Sequence, residues 1–180
     1  MALPQGPNPY TQISSEQIYA RKYVRFMKDV VKIGEHTKDY SYADIANGVG
    51  IVAINEKQEI ALVGQWRYPV KQYNWEIPAG MREDGEDPLA TAKRELKEEA
   101  GLTAKKWHKL GEFFMEPSST TKVGHLFLAQ DLQTGDQSLD DDERINVKWL
   151  PLKEALKLIE KGEIKDGFTT LGILRAQSYL

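Results

Sequence analysis

Hydrophobic positions along this chain follow two periods, and the places where one gives way to the other mark its predicted elements. Residues 50–54 (Gly-Ile-Val-Ala-Ile) and 59–63 (Glu-Ile-Ala-Leu-Val) are short apolar runs flanking the polar stretch Asn55-Glu56-Lys57-Gln58, which predicts two strands joined as a hairpin. Residues 107–115 and 123–132 are further strand candidates. Residues 145–150 (Ile-Asn-Val-Lys-Trp-Leu) alternate apolar with polar, as a half-buried strand does. Near the N-terminus the pattern is weaker. Residues 1–12, rich in Pro, Asn and Gly, read as an extended leader, and Tyr23, Phe26, Val30, Val31 and Ile33 as lining strands of a small sheet.

The helical period governs three stretches. Residues 88–100 have Asp87 as N-cap, Pro88 in the first turn and Gly101 as C-cap. Residues 152–161 put Ala155, Leu156 and Ile159 on one face, with Gly162 as the stop, and residues 169–177 form a shorter closing helix. Strands interleaved with helices predict an α/β protein, with a mixed sheet between helices. The length suits one domain over 45–180 preceded by an N-terminal extension over 1–44. That extension is too short and too weakly patterned to fold alone.

Composition narrows the classes. A net charge of −3 and a pI near 5.7 argue against a nucleic-acid binder, which usually carries a basic face. The absence of cysteine removes disulfide and thiolate chemistry. No stretch approaches the apolar length of a membrane span, and residues 1–7 lack a signal-like leader, so a cytoplasmic location is the default expectation. His36, His108 and His125 show no paired metal spacing and read as structural.

The candidate chemistry lies on the first helix. Glu95, Glu98 and Glu99 fall on one side, with Leu89, Ala92, Leu96 and Ala100 as the adjacent packing stripe. Like charges at this spacing cost a few tenths of a kcal/mol. Such a helix is either a solvated acidic face or a site where a divalent cation, preferring oxygen ligands, offsets the repulsion.

The surroundings decide between these readings. Gly80, Glu86, Arg94-Glu95-Leu96, Glu98-Glu99, Gly101 and Leu102 fill nine defined positions over 23 residues. This array resembles the Nudix box, glycine-x5-Glu-x7-Arg-Glu-apolar-x-Glu-Glu-x-Gly-apolar. The resemblance implies the Nudix fold, with a mixed β-sheet sandwiched between α-helices, here carrying a small N-terminal β extension. It also implies that Glu95 and Glu99, with the backbone carbonyl of Ala79, hold magnesium, for which manganese is a substitute. Glu98 is then a ligand of a further ion and part of the catalytic set. Glu86 and Arg94 are expected to pair and hold the loop on the helix, while Gly80 and Gly101 permit the bracketing turns.

The flanks speak to substrate. Gln65-Trp66-Arg67-Tyr68-Pro69 and Trp75-Glu76-Ile77-Pro78-Ala79-Gly80 resemble the ADP-ribose pyrophosphatase branch of that family, as does Pro117, 16 residues beyond Gly101. Relatives often continue Pro-Gly, whereas Ser118 follows here. Arg67 is a candidate phosphate clamp, or else a structural arginine on a strand edge. Glu76 is expected either to accept from base or ribose or to pair with a nearby cation. Trp66, Trp75 and Tyr68 read as core or interface residues, with base stacking, notably by Trp66, as the alternative. Asp140-Asp141-Asp142-Glu143 reads alone as a solvated loop; in the family such a loop carries the base and another metal ligand, which implies Asp141 and Glu143 respectively.

The resemblance therefore implies magnesium-dependent hydrolysis of the pyrophosphate in a nucleoside diphosphate sugar, ADP-ribose first and GDP-mannose or another nucleotide sugar next. Its products would be a nucleoside monophosphate and a sugar phosphate. An RNA 5′-end pyrophosphohydrolase shares the box, but the acidic pI and the Trp75–Gly80 flank oppose it. Coenzyme A hydrolases carry a flanking signature that is not found. A non-catalytic nucleotide sensor would typically lose box glutamates. The resemblance also implies a homodimer joined through the N-terminal strands, with Tyr23, Phe26 and Trp66 as candidates to meet across its two-fold axis.

Overall fold

The structure, a computed structural model, describes residues 3–139 and 143–180. It divides into two compact units: Met1–Ile45 with Glu116–Lys122, and Ala46–Met115 with Val123–Leu180.

The smaller unit is a three-stranded antiparallel meander of β1 (Tyr10–Arg21), β2 (Val24–Ile33) and β3 (His36–Ile45). Two-residue turns join the strands; Gly34 takes the left-handed conformation (φ 55°) that such turns favour. Strand β1 begins inside the expected leader, and Tyr23 falls in a turn. All of β1 is exposed, whereas Asp29 and Val31 of β2 are buried. Within this unit the segment Glu116–Lys122 is tied to β3. Ala43 donates its amide to the Ser119 carbonyl (2.9 Å), and Thr121 returns a bond to the Ala43 carbonyl (3.1 Å).

Among its described residues the larger unit holds seven strands: β4 (Gly48–Ala53), β5 (Glu59–Arg67), β6 (Gln72–Glu76), β7 (Ala79–Met81), β8 (Leu102–Phe114), β9 (Val123–Thr134) and β10 (Asn146–Pro151). They form two sheets, ordered β7-β4-β9-β8 and β10-β5-β6. The first is mixed, because β4 and β9 run parallel and its other pairs antiparallel.

Among the described residues three α-helices accompany the sheets. Helix α1 (Pro88–Ala100) begins at Asp87, whose carboxylate accepts from the amides of Leu89 and Ala90, and ends at Gly101 in the left-handed conformation. Helix α2 (Leu152–Glu160) is followed by α3 (Gly167–Ala176) and a single 3-10 turn, Gln177–Tyr179. Among the described residues no helix is long and apolar enough to cross a membrane.

The mixed sheet is apolar on both faces, which explains why residues 49–54 read as an unbroken hydrophobic run. Val49, Ile51, Ala53, Phe127 and Ala129 pack with Ala92, Leu96 and Ala100 of α1. Val52, Ile54, Leu126 and Leu128 pack with Phe168, Ile173 and Ala176 of α3 and Ala155 of α2. Replacing fully buried Leu96 by Ala would cost about 2–5 kcal/mol. Gly50 is required for close approach: a Cβ there would lie 2.7 Å from the Phe168 ring.

The expected hairpin over 50–63 is corrected. Strands β4 and β5 lie in different sheets, joined at the turn by one bridge between Ile54 and Ile60. Both strands are buried on both sides, so each takes its ladder partners elsewhere, β4 from β7 and β9, β5 from β6 and β10. The turn is held instead by Asn55, whose side-chain oxygen accepts from the Lys57 and Glu59 amides. Helix α3 also starts two residues before the expected Thr169, because Asp166 caps it.

Candidate active site

Helix α1 lies against β7, and two features let them meet. Gly80 has no side chain, and a Cβ built there would fall on the Glu95 carboxylate. One residue earlier, the Ala79 amide donates to Glu99 Oε2 at 2.7 Å. Glu95 and Glu99 are both buried, at 9% and 4% exposure, which is rare for carboxylates. Burial pushes the Glu99 carboxyl up to about 8; the Ala79 amide and Arg67 counter this, while Glu95 and Glu143 add to it. Burial also raises Glu95, against the pull of neighbouring Arg94.

Two buried acids with raised pKa values, and only oxygen donors between them, suit a hard divalent cation such as magnesium. The residues fit the ion that the sequence implies. Among the described residues, no three acidic or histidine side chains already converge as a metal cluster. Glu95 and Glu99 turn toward β7, but Glu98 is more exposed and turns to Arg94.

Arg94 joins the loop before α1 to the helix. It faces Glu86 with two bonds of 3.3 Å, Glu95 Oε1 at 2.8 Å, Glu98 Oε2 at 2.9 Å and the Met81 carbonyl at 3.3 Å. Burial opposes the charge on Arg94, but Glu86, Glu95 and Glu98 outweigh it and move its pKa up. Arg94 in turn holds Glu86 below its usual range. Arg82, which the sequence pattern did not single out, braces the same loop by donating to the Glu86 carbonyl.

Beside this cluster, Arg67 of β5 grips Glu76 of β6 through three bonds of 3.1, 3.1 and 2.6 Å. Glu76 is buried, and the Arg67 side chain is about two-fifths exposed. Burial lowers the Arg67 pKa, but Glu76, Glu99 and Asp166 reverse the sign. Arg67 thus lies within electrostatic reach of the box carboxylates. Of the readings for Glu76, the structure displays the ion pair.

The aromatic residues divide. Trp75 is partly buried against the core and meets Tyr73 edge-on at 5.7 Å. Trp66 and Tyr68 are 60% and 79% exposed, so neither is core. Trp66 lies near the end of β5 and Tyr68 just after it, both beyond the strand's buried stretch, residues 60–64. Pro117 is exposed in the Glu116–Lys122 segment of the smaller unit. Glu143 precedes β10, and its charge is felt by Glu95 and Glu99. Asp141 lies outside the described residues.

The roles of three further residues escaped the sequence reading. Gln137 donates its side-chain amide to the Glu99 carbonyl, and the Ser138 amide bonds the Glu98 carbonyl at 3.0 Å, so the loop after β9 is anchored on α1. Thr169 accepts from the Ile77 amide, 92 positions away in sequence, at 2.9 Å. An aspartate three residues before a threonine is a helix-start signal, and it would have located α3 correctly.

With this geometry in hand, comparison with known proteins gives consistent results. Residues 44–170 match the NUDIX domain. The chain is 35% identical to the ADP-ribose pyrophosphatase of Bacillus subtilis (strain 168) over 164 residues, 89% of each chain. It is also 35% identical to the GDP-mannose pyrophosphatase of Citrobacter koseri over 142 residues, 71% of this chain and 72% of that one. A solved structure described as an ADP compounds hydrolase superposes with a TM-score of 0.84, covering 98% of this chain and 97% of that one at 18% identity; it speaks for the fold.

Proposed function

Because the chain belongs to the NUDIX family of hydrolases, we propose that it cleaves the pyrophosphate of nucleoside diphosphate sugars, ADP-ribose foremost, to a nucleoside monophosphate and a sugar phosphate. Hydrolases of this family generally use a divalent metal, and we read it here as magnesium, with manganese as a substitute. The observation that carries the proposal is the pair of buried, mutually repelling carboxylates, Glu95 and Glu99, pressed on the Ala79–Gly80 backbone.

When bound, the metal supplies charge neutralisation at the pyrophosphate and an acidified water. Glu95 and Glu99, with the Ala79 carbonyl, would hold it, and Glu98 and Glu143 would serve a further ion. Arg94 keeps Glu95 and Glu98 in place and Glu86 fastens Arg94, so the box is preorganised before substrate arrives. Arg67, aligned by Glu76, offers its remaining N–H groups to a phosphate. Asp141 is read as the base that takes the proton from the attacking water. Trp66, exposed and next to Arg67 in the chain, is read as stacking on a base.

We further read the protein as a cytoplasmic homodimer joined through the smaller unit. Strand β1 is exposed throughout, and Tyr10, Ile13, Ile18, Tyr19 and Phe26 leave a large apolar surface uncovered. Light scattering should give twice the 20.5 kDa chain mass; a monomer at micromolar concentration would defeat this assignment.

A panel of nucleotide sugars, nucleoside triphosphates and 5′-triphosphorylated RNA, with magnesium and chromatographic product analysis, tests the substrate class. ADP-ribose should give the highest kcat/KM, with AMP and ribose 5-phosphate as products. A preference for GDP-mannose would move the substrate within the class, and a preference for triphosphates or RNA would overturn it.

A further inference from the structure

We propose that Thr169, oriented by Asp166, is a positioning residue that fixes the spacing between the Arg67–Glu76 pair and the Ala79–Glu99 contact. The inference rests on the function proposed above and concerns how the two halves of that site are kept in register.

The segment 76–79 joins the two sheets of the larger unit. Glu76 ends β6, Ala79 begins β7, and Ile77 and Pro78 belong to no strand. Glu76 pairs with Val63 and Ala79 with Gly50, whereas Ile77 and Pro78 between them lie outside the ladders, yet each residue of the crossing is fastened. Glu76 is gripped by Arg67. The Pro78 carbonyl accepts from the Ile51 amide of β4 at 2.9 Å, and the Ala79 amide donates to Glu99 at 2.7 Å. The remaining attachment, at Ile77, comes from α3: its amide donates to Thr169 Oγ1 at 2.9 Å.

That hydroxyl is fully employed. It donates to Asp166 Oδ2 at 2.7 Å, which aims a lone pair at the Ile77 amide. The same Asp166 oxygen accepts the Thr169 amide at 2.7 Å and so caps α3. Thr169 and Ile77 are both completely buried, so water cannot replace the bond. Asp166 also contributes to the field that keeps Arg67 charged. One N-cap therefore serves the helix, the crossing and the substrate-side arginine together.

The proposal distinguishes Thr169 from an ordinary buried threonine. The crossing spans four residues from Glu76 to Ala79, so a shift at Ile77 moves a substrate contact relative to a metal contact. Displacements near 1 Å in a catalytic constellation can cost about a hundredfold in rate. Since Thr169 touches neither ion nor substrate in this arrangement, its loss should appear in turnover and metal affinity rather than in substrate selectivity.

The test uses the full chain with Thr169→Val, which keeps shape but removes the hydroxyl, and Thr169→Ser, which keeps the hydroxyl. Turnover of ADP-ribose, manganese binding without substrate by electron paramagnetic resonance, and Tm are measured for each. Thr169→Val should lower kcat about tenfold or more and weaken manganese binding several-fold, and Thr169→Ser should restore both to within about twofold. If Thr169→Val lowers only Tm, with kcat and manganese binding unchanged well below the transition, the residue is merely structural and the proposal falls. Should Thr169→Val not fold, Asp166→Ala takes its place, since it removes the oxygen that accepts the Thr169 hydroxyl and aims it. The proposal then requires at least a threefold loss of kcat, and unchanged kcat would overturn it. Glu99→Gln measured in parallel separates the two failures. An inactive Glu99→Gln beside a fully active Thr169→Val refutes only this inference, whereas an active Glu99→Gln refutes the metal-site reading and this inference with it.

Discussion

Helices α1 and α3 cover opposite faces of one mixed sheet, and both reach the four-residue crossing 76–79 from β6 to β7, by contrasting means. Helix α1 meets the crossing with charge: Glu95 and Glu99 are buried beside each other, and burial drives both pKa values up. Helix α3 meets it with a neutral hydroxyl whose donor and acceptor capacities are both used. Buried polar groups are normally satisfied, and Thr169 obeys that rule. The acids on α1 keep a destabilising arrangement, and the function proposed above gives that side to a cation and its substrate. On this reading the charged side performs the chemistry and the neutral side holds the geometry.

Glu99→Gln should break the charged side most severely. It preserves shape, so the account expects turnover to fall by roughly two to three orders of magnitude. The metal-free Tm should equal or exceed that of the wild type, because a neutral amide replaces a buried acid. Steady-state kinetics and calorimetry on the same samples check both halves. Near wild-type turnover at saturating magnesium would remove Glu99 from the ligand set.

Gly80→Ala comes next. Its added methyl would occupy the place of the Glu95 carboxylate, so turnover should drop by about 10- to 100-fold while substrate KM changes little. An unaltered kcat would mean that the approach of β7 to α1 is not needed for activity. Arg67→Ala should act on binding, raising KM for ADP-ribose about tenfold, equivalent to about 1.4 kcal/mol. If only Tm moved, Arg67 would be the structural partner of Glu76 and nothing more. The smallest effect belongs to a residue outside both contacts. Asp87→Ala removes the N-cap of α1 and should cost about 1 kcal/mol of stability, with kcat retained. A large loss of kcat there would show that the metal helix is poised less rigidly than the Arg94 network implies.

The same contrast explains what was legible in the sequence. Helix α1 announces itself through local signals, with Asp87 and Pro88 at its start, Gly101 at its end and acids at fixed spacing between, so its position and charged face follow from neighbours in the chain. The Glu86–Arg94 pair, eight residues apart, belongs to the same local unit. The α3 contact does not, because nothing near Ile77 indicates that its amide will bond a hydroxyl 92 residues later. The misread hairpin has a related cause. Apolar runs buried on both faces reveal that β4 and β5 are strands but not which strands they pair with, and the short polar turn between them suggested the nearest partner. Trp66 and Tyr68 were ambiguous for a further reason: aromatic character is shared by core and by exposed binding surfaces, and only their place beyond the buried stretch of β5 separates them.

The central claim, that buried and mutually repelling glutamates on α1 hold a divalent cation, is tested most directly by manganese binding to substrate-free protein, followed by electron paramagnetic resonance. Wild type should bind the ion with an affinity that Glu99→Gln weakens at least about tenfold, equivalent to about 1.4 kcal/mol. Equal affinity in the two proteins would contradict the claim and send the search for the metal site elsewhere.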